Sequence, residues 1–351
     1  MGLILATGGL GFIGSHTCIN LIKRGLDVLI IDSLINSSID NLERIKMISK
    51  KNNDSNIGKI YFYKGDLRDT NLLDEIFYKH FLKKESIEAA IHFAGLKSVE
   101  ESVAYPIKYW DTNLNSLLSL MKVMAKYECK TLVFSSSATI YKSDENKKFF
   151  EDSPKLPSNP YGYTKLTIEQ ILRDIFISDN QWKIMNLRYF NPVGAHHSGL
   201  LGEYPGVLAS NLFPIISKVL IGQLEKLFIF GNNWPTKDGT CIRDYIHVMD
   251  LAEAHCAAIK FLCENKPLIE TINIGNSEGY SVLEIVRNYS KVNNLSIPFE
   301  FAARRKGDIP FVVADNKLAL ELLDWRPSRN IDKMCIDSFN YIKNNFEIKN
   351  L

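Results

Sequence analysis

Residues 7–14 read Thr-Gly-Gly-Leu-Gly-Phe-Ile-Gly, close to the N-terminus of the chain. The apolar run Leu3 to Ala6 before them is too brief for anything but a buried strand. After them, Cys18, Ile19, Leu21 and Ile22 recur at helical spacing within His16 to Arg24. The glycines satisfy two patterns at once. Gly8, Gly11 and Gly14 are three apart, and Gly9-x-Gly11-x-x-Gly14 fits the dinucleotide fingerprint. Both patterns make the same demand: the chain turns tightly from strand to helix, a pyrophosphate approaches the backbone, and free helix N–H groups point at it. A second strand, Val28 to Ile31, ends in Asp32, close to where a carboxylate accepts the adenosine ribose hydroxyls. That negative charge would repel a 2′-phosphate, so the expected cofactor is NAD. A glycine-rich turn in an unrelated α/β protein is the bland alternative, and it does not explain the acid after the second strand.

Working outward, Ser33-Leu34-Ile35-Asn36-Ser37 leads to a helix and then to a Lys- and Asn-rich stretch, 49–59, which reads as a solvated loop. Further strands are predicted over Lys59 to Lys64, Ala89 to Phe93, Thr131 to Phe134 and Lys183 to Leu187, with helices over Leu72 to Phe81 and Tyr109 to Tyr127 between them. This alternation predicts an α/β fold with a parallel, doubly wound sheet. Ligands bind such a sheet outside the carboxyl ends of its strands. There this sequence places Asp32, Asp66, Ala94-Gly95, Ser135 to Ser137 and Tyr189 to Asn191, which would line one crevice. Beyond Val193 the loops lengthen, so residues 1–193 are expected to form the cofactor domain and 194–351 a smaller mixed α/β lobe. A helix over Ile246 to Phe261 and a strand over Thr271 to Ile274 suggest that about 242–275 returns to the first domain.

The 351 residues suffice for a large core, and 46% hydrophobic with 23% charged residues is ordinary globular composition. A net charge of +2 gives no electrostatic case for nucleic acid. No apolar run approaches membrane-spanning length, and no cleavable signal precedes the first strand. Gly2 does not open a myristoylation motif, because Ala6 stands where Ser or Thr is required. Six cysteines without a C-x-x-C pair read as reduced thiols of a cytoplasmic protein. His196-His197 sits in a Gly-rich loop with no further ligand at helical spacing, so no metal is expected.

After the Ser135 to Ser137 strand end comes Asn159-Pro160-Tyr161-Gly162-Tyr163-Thr164-Lys165, entering a helix that runs to about Ile177. Tyr161 and Lys165, four apart, share a helix face. A nearby ammonium favours the phenolate, as a general base near neutral pH needs. With 15 tyrosines in the chain, about one Y-x-x-x-K arises by chance, so the spacing alone decides nothing. Its place behind a serine-ended strand in a dinucleotide fold is what makes it a catalytic pair.

The glycine loop, Ser137 and Tyr161/Lys165 together resemble the extended short-chain dehydrogenase/reductases, which share a Rossmann-type sheet. Within them, residues 92–97 (HFAGLK), 134–141 (FSSSATIY), 188–196 (RYFNPVGAH) and 239–248 (GTCIRDYIHV) resemble the UDP-glucose 4-epimerases, along essentially the whole chain. The resemblance implies that Ser137 bonds the sugar 4-oxygen, that Tyr161 removes its proton, and that Lys165 holds the nicotinamide ribose and lowers the Tyr161 pKa. It implies NAD contacts at Phe12, Ile13, Asp32, Ser33, Leu34, Asn36, Ser37, Asp66, Leu67, Phe93, Ala94, Gly95, Lys97 and Phe190, beside the loop glycines Gly8, Gly11 and Gly14. UDP-sugar contacts would fall on Asn191, Asn211, Leu212, Phe228, Ile229, Phe230, Arg243, Arg305 and Asp308. It further implies a homodimer paired through the helices around Ile107 to Lys126 and Tyr161 to Ile177.

Three positions depart from the family pattern. Thr112 stands where the family often has Asn beside the nicotinamide, with Asn113 next to it. Ser210 replaces an Asn in the substrate loop. Val312 occupies a position, bordering the sugar's 2-substituent, that is a large aromatic in some members and small in others. The activity implied is interconversion of UDP-glucose and UDP-galactose, as in galactose metabolism, through transient oxidation at C4 by a tightly held NAD, with UDP-GlcNAc and UDP-GalNAc as further substrates. The alternatives are a 4-epimerase of UDP-glucuronate or a UDP-pentose, and a non-enzymatic NAD-sensing regulator. Dehydratases and decarboxylases need an acid or base after the strand-end Ser, where this chain has Ala138-Thr139.

Overall fold

In the computed structural model, residues 2–50, 57–142, 148–205, 211–305 and 308–349 are described. The chain alternates β1 (Leu3–Thr7), α1 (Phe12–Lys23), β2 (Val28–Asp32), α2 (Asp40–Lys50), β3 (Ile60–Lys64), α3 (Thr70–Leu82), β4 (Ile87–His92), α4 (Val99–Ala104), α5 (Pro106–Lys126), β5 (Thr131–Ser137), α6 (Pro160–Ser178) and β6 (Lys183–Tyr189). Smaller elements follow: β7 (Asn191–Val193), α7 (Leu212–Leu220), β8 (Leu227–Phe230), β9 (Ile242–His247), α8 (Val248–Glu264), β10 (Leu268–Ile274), β11 (Gly279–Ser281), α9 (Val282–Asn293), β12 (Phe299–Ala302), β13 (Phe311–Val312), α10 (Lys317–Leu323) and α11 (Ile331–Asn345).

Seven strands form one parallel sheet in the order β10-β6-β5-β4-β1-β2-β3. β1 and β2 are buried along their whole length, as central strands covered on both faces must be. Ile4, Ile30 and Ile91 face a core with α1, α2 and α8, whereas Leu5, Ile31 and Phe134 face a second core with α3, α5 and α6. The order reverses at β1, between β2 and β4, which opens the ligand crevice at their carboxyl ends.

Several predicted boundaries move. β5 runs through Ser137 instead of stopping at Phe134, because Ser135, Ser136 and Ser137 pair with Leu187, Arg188 and Tyr189. Backbone pairing overrides the turn preference of three serines. For the same reason β6 extends to Tyr189. α5 starts at Pro106, a residue suited to the first helical position, and α4 precedes it. Residues 242–247, expected to return to the first domain, form β9, which pairs with β7, β11 and β13 in a second sheet. The return starts at Val248: α8 packs on α1, and β10 lies beside β6. In the stretch 49–59, Ser49 and Lys50 end α2 and 51–56 lie outside the described residues.

The second lobe has its own core, where Phe213, Ile216, Ile285, Tyr289 and Met334 bring together α7, α9 and α11. One buried carboxylate fastens its loops. Asp244 accepts from the N–H groups of Asn276 (2.7 Å), Ser277 (2.9 Å) and Ala314 (3.1 Å). Asp244→Ala leaves these buried donors without an acceptor. A loss of about 3 kcal/mol or more is expected, read as a lower denaturant midpoint; an unchanged midpoint would show that the loops hold without it. No helix among the described residues is long and apolar enough to cross a membrane.

Candidate active site

The glycines do different work at the first turn. Gly8 has φ +67°, and a Cβ there would lie 2.8 Å from the Ala94 nitrogen. A Cβ on Gly14 would lie 2.5 Å from the Gly8 carbonyl oxygen, so α1 packs against the loop that precedes it. Gly11 is the N-cap of α1, extended and without a side-chain cap, and its Cβ would meet only the Gly8 oxygen, at 3.2 Å. The side of Gly11 away from the loop is therefore free for close approach to the backbone, beside uncapped amides of α1 that include those of Phe12 and Ile13. These features fit a dinucleotide pyrophosphate.

Asp32 is held at the end of β2. Its Oδ2 accepts from the Leu10 N–H (2.9 Å), and its Oδ1 from the Leu34 N–H (2.9 Å) and the Ser37 hydroxyl (2.8 Å). Only Oδ2 keeps a lone pair free for ribose. Leu34 sits at φ +62°, in the turn formed with Ser33 and Asn36. Asp66 is gripped by Arg68, whose Nη2 lies 2.7 Å away, and this contact holds its carboxyl below the usual range. The Leu67 side chain is buried in the core. Phe93 packs on His255 with ring centroids 4.8 Å apart. Gly95, at φ +158°, lies against Asn113.

Asn113, read with Thr112 as a cofactor contact, is fully buried and holds the loop after β4, accepting from the Leu96 N–H (2.8 Å) and donating to the Leu96 carbonyl (3.2 Å) and Thr164 Oγ1 (3.0 Å). Thr112, one position earlier on α5, is partly exposed. Lys97 Nζ meets Glu203 of the second lobe at 2.7 Å.

α6 begins at Asn159, whose side chain caps the Gly162 N–H at 2.9 Å, followed by Pro160. A Cβ on Gly162 would lie 2.8 Å from the Thr139 carbonyl, so only glycine lets the helix start press onto the turn after β5. That contact brings Tyr161 beside Ser137, whose side chain opposes the rise of the phenol on burial. Ser137 Oγ also receives the Thr139 N–H (3.2 Å) and hydroxyl (3.0 Å). Lys165 is buried, its Nζ donating to the Ser135 carbonyl (2.6 Å) and lying 5.9 Å from the Tyr161 ring centroid.

Burial pushes the Tyr161 phenol up, opposed by Ser137 and by the charge of Lys97. The Lys165 ammonium turns to the Ser135 carbonyl. Burial also pushes Lys165 down to about 7, opposed by the charge of Glu169.

On the second lobe, Arg243 Nη2 lies 3.5 Å from Asp308, and its Nη1 donates to the Ile309 carbonyl at 2.8 Å. The Arg305 guanidinium stacks 3.8 Å from the Phe230 ring centroid. Along β8 the side chains alternate: Phe228 and Phe230 are exposed or partly so, whereas Ile229 is buried in the lobe core. The Ile229 side chain thus points into the lobe core, as the alternation of a strand dictates. Asn191 donates to the Asp244 carbonyl (3.0 Å), Asn211 caps α7 from an exposed position, and Leu212 packs on the lobe core. Val312 pairs with Arg243 and packs in one cluster with Phe190, Ile140 and Tyr141. Ser210, Lys306 and Gly307 lie outside the described residues.

Tyr161, Ser137 and Lys165 gather where α6 meets the end of β5, and Arg243 and Arg305 lie on the second lobe. The family described as GDP-mannose 4,6 dehydratase matches over residues 5–338. The UDP-glucose 4-epimerase of Bacillus subtilis (strain 168) is 46% identical over 342 residues, 97% of each chain. The chain belongs to the UDP-glucose 4-epimerase family. Two solved family structures superpose closely. The enzyme from Stenotrophomonas maltophila, with bound NAD and formylated UDP-arabinopyranose, has a TM-score of 0.91 at 39% identity. That from Bifidobacterium longum, in complex with NAD+ and UDP, has a TM-score of 0.89 at 44% identity. In both comparisons 98% of each chain is covered.

Some residues that were not read as ligands or catalysts bond to this cluster and its surroundings. Thr139 bonds Ser137, Glu203 pairs with Lys97, and Arg188 grips Glu169 on α6. Only Glu169 had a local signal, lying four residues after Lys165 on the same helix face. Among the described residues no group of three His, Cys, Asp or Glu could hold a metal.

Proposed function

We infer that the protein interconverts UDP-glucose and UDP-galactose by NAD-dependent epimerisation at sugar C4. The carrying observation is the docking of Tyr161 on Ser137 beside buried Lys165, in a chain 46% identical to a UDP-glucose 4-epimerase. When bound, NAD supplies reversible hydride acceptance from the sugar carbon. The glycine turn, Asp32 and the loop at Phe93 to Lys97 would hold it.

Tyr161 Oη takes the proton of the sugar 4-hydroxyl and later returns it. Ser137, beside the same phenol, orients the 4-oxygen. Lys165 keeps a cation beside the pair and is the group placed to hold the nicotinamide ribose. Arg243 and Arg305 pair with the diphosphate, and Asp308 accepts from the uridine ribose. With UDP anchored this way, the sugar can turn and present either face to the cofactor. Ala138 brings no acid to the position where dehydratases carry one, and the Thr139 hydroxyl is committed to Ser137.

Residues 1–193 serve as the NAD domain and 194–351 as the UDP-sugar lobe, with the segment from Val248 lent back. A homodimer formed through α4 to α6 would cover Val103, Tyr105, Ile107 and Ile177, of which Ile107 is 82% exposed. We place the protein in the cytoplasm, where its six free cysteines stay reduced. The shortness of the Val312 side chain, which packs in one cluster with Phe190, is what supports UDP-GlcNAc and UDP-GalNAc as further substrates.

The test is to supply UDP-galactose without added NAD. UDP-glucose is expected, with NAD(H) released on denaturation, because the cofactor is regenerated in each turnover. Activity only with UDP-glucuronate or a UDP-pentose would reassign the substrate. NADP(H) in the extract would contradict the role of Asp32.

A further inference from the structure

Three consecutive serines end β5, and each serves a different residue of one stripe on α6. Ser137 lies beside the Tyr161 phenol and opposes its rise on burial. The Ser135 carbonyl accepts from Lys165 Nζ at 2.6 Å. The Ser136 hydroxyl donates to Glu169 Oε1 at 2.5 Å. Tyr161, Lys165 and Glu169 are four apart, so the stripe runs down one helix face.

The third member of the stripe is the most firmly held. Glu169 and Arg188 are both buried, 8% and 2% exposed. Arg188 Nε and Nη2 grip the two Glu169 oxygens at 3.0 and 2.7 Å, a bidentate pair with one preferred geometry. Arg188 Nη1 donates to Tyr141 Oη at 2.9 Å and to the Glu151 carbonyl at 2.7 Å. Tyr141 in turn donates to Asn273 Oδ1 of β10 at 2.5 Å. The guanidinium is thereby fixed to β6, to the segment after β5 and, through Tyr141, to β10. A buried ion pair is a weak source of stability, since desolvation of both charges offsets their attraction. Its directional bonds do set where the helix sits.

We propose that Glu169, clamped by Arg188 and Ser136, is a positioning residue for the catalytic pair: it sets the docking of α6 along β5 and supplies the anion that keeps Lys165 cationic during turnover. This rests on the reading of Tyr161 and Lys165 as catalytic. Glu169 is the one group whose charge opposes the burial that pushes Lys165 down to about 7. The other titratable or charged groups around the pair are Tyr161 on α6, His92 of β4, Lys97 after β4, Arg188 and Tyr189 of β6, and Tyr141, Glu151 and Lys155 after β5. His92 is neutral near pH 7, pushed down to about 3 by burial and the Lys165 charge.

The test is the pH profile of kcat for the holoenzyme, in Glu169→Gln and Arg188→Met beside the parent. Both break the ion pair, and only the first removes the anion near Lys165. In Glu169→Gln the alkaline limb is expected to fall by about one pH unit or more, with KM for UDP-galactose within about twofold of the parent. In Arg188→Met the limb stays at or above that of the parent, although both proteins melt earlier. Equal loss at every pH in both variants, with the limb unmoved, would leave the pair a purely structural clamp and overturn the proposal. If either single variant does not fold, the uncharged double variant Glu169→Leu/Arg188→Met decides: a limb lowered as in Glu169→Gln supports the proposal, and an unmoved one overturns it. Failure of all three to fold also overturns it, since positioning would then be inseparable from folding. Lys165→Met separates the two readings, because retained turnover there defeats the catalytic assignment itself.

Discussion

Tyr161→Phe is expected to lower kcat by on the order of a hundredfold or more while leaving UDP affinity nearly intact. The variant loses one oxygen, while the ring keeps its place near Lys165 Nζ, 5.9 Å from the centroid. No other tyrosine in the chain has Lys at the fourth position after it. The anchors proposed for UDP, Arg243, Arg305 and Asp308, lie on other elements and lose no contact given to them by the structure. Steady-state kinetics together with a UDP titration check both halves. Activity within a few-fold of the parent would remove Tyr161 from the role of base.

The second large effect concerns substrate breadth. Val312 sits in β13 opposite Arg243 and shares a cluster with Phe190, so it borders both proposed ligand sites. A pocket with spare apolar volume discriminates weakly, by roughly 1–3 kcal/mol per methylene-sized difference, whereas overlap with a rigid ring is close to absolute. The parent is therefore expected to interconvert UDP-GlcNAc and UDP-GalNAc. Val312→Tyr should abolish that activity and retain most turnover of UDP-galactose. The ratio of kcat/KM for the two substrates reads it directly. No turnover of UDP-GalNAc by the parent, or equal loss of both activities in the variant, defeats the idea.

Residues 7–14, Asp32 and the alternation of apolar runs with helical periodicity were enough, as sequence, to specify a doubly wound sheet and the crevice at its strand ends. These signals are local: a φ that needs glycine, a strand buried on both faces, a helix stripe that brings Tyr161 and Lys165 together. The strand-end serines were visible too, although pairing with β6, a long-range event, decided that they belong to β5.

What tertiary structure alone decided is which charge meets which. Lys97 finds Glu203 across 106 residues, and Asp244 gathers N–H groups 32 to 70 residues away. Asn113 carries no mark in the sequence of the bonds it makes to Leu96 and Thr164 once α5 and α6 pack together. Likewise, the i, i+4 rule places Lys165 on the face of Tyr161 but cannot say that its ammonium turns to a strand carbonyl. Electrostatic partners follow from distance and burial, and a linear sequence holds neither until the sheet has brought its distant strands side by side.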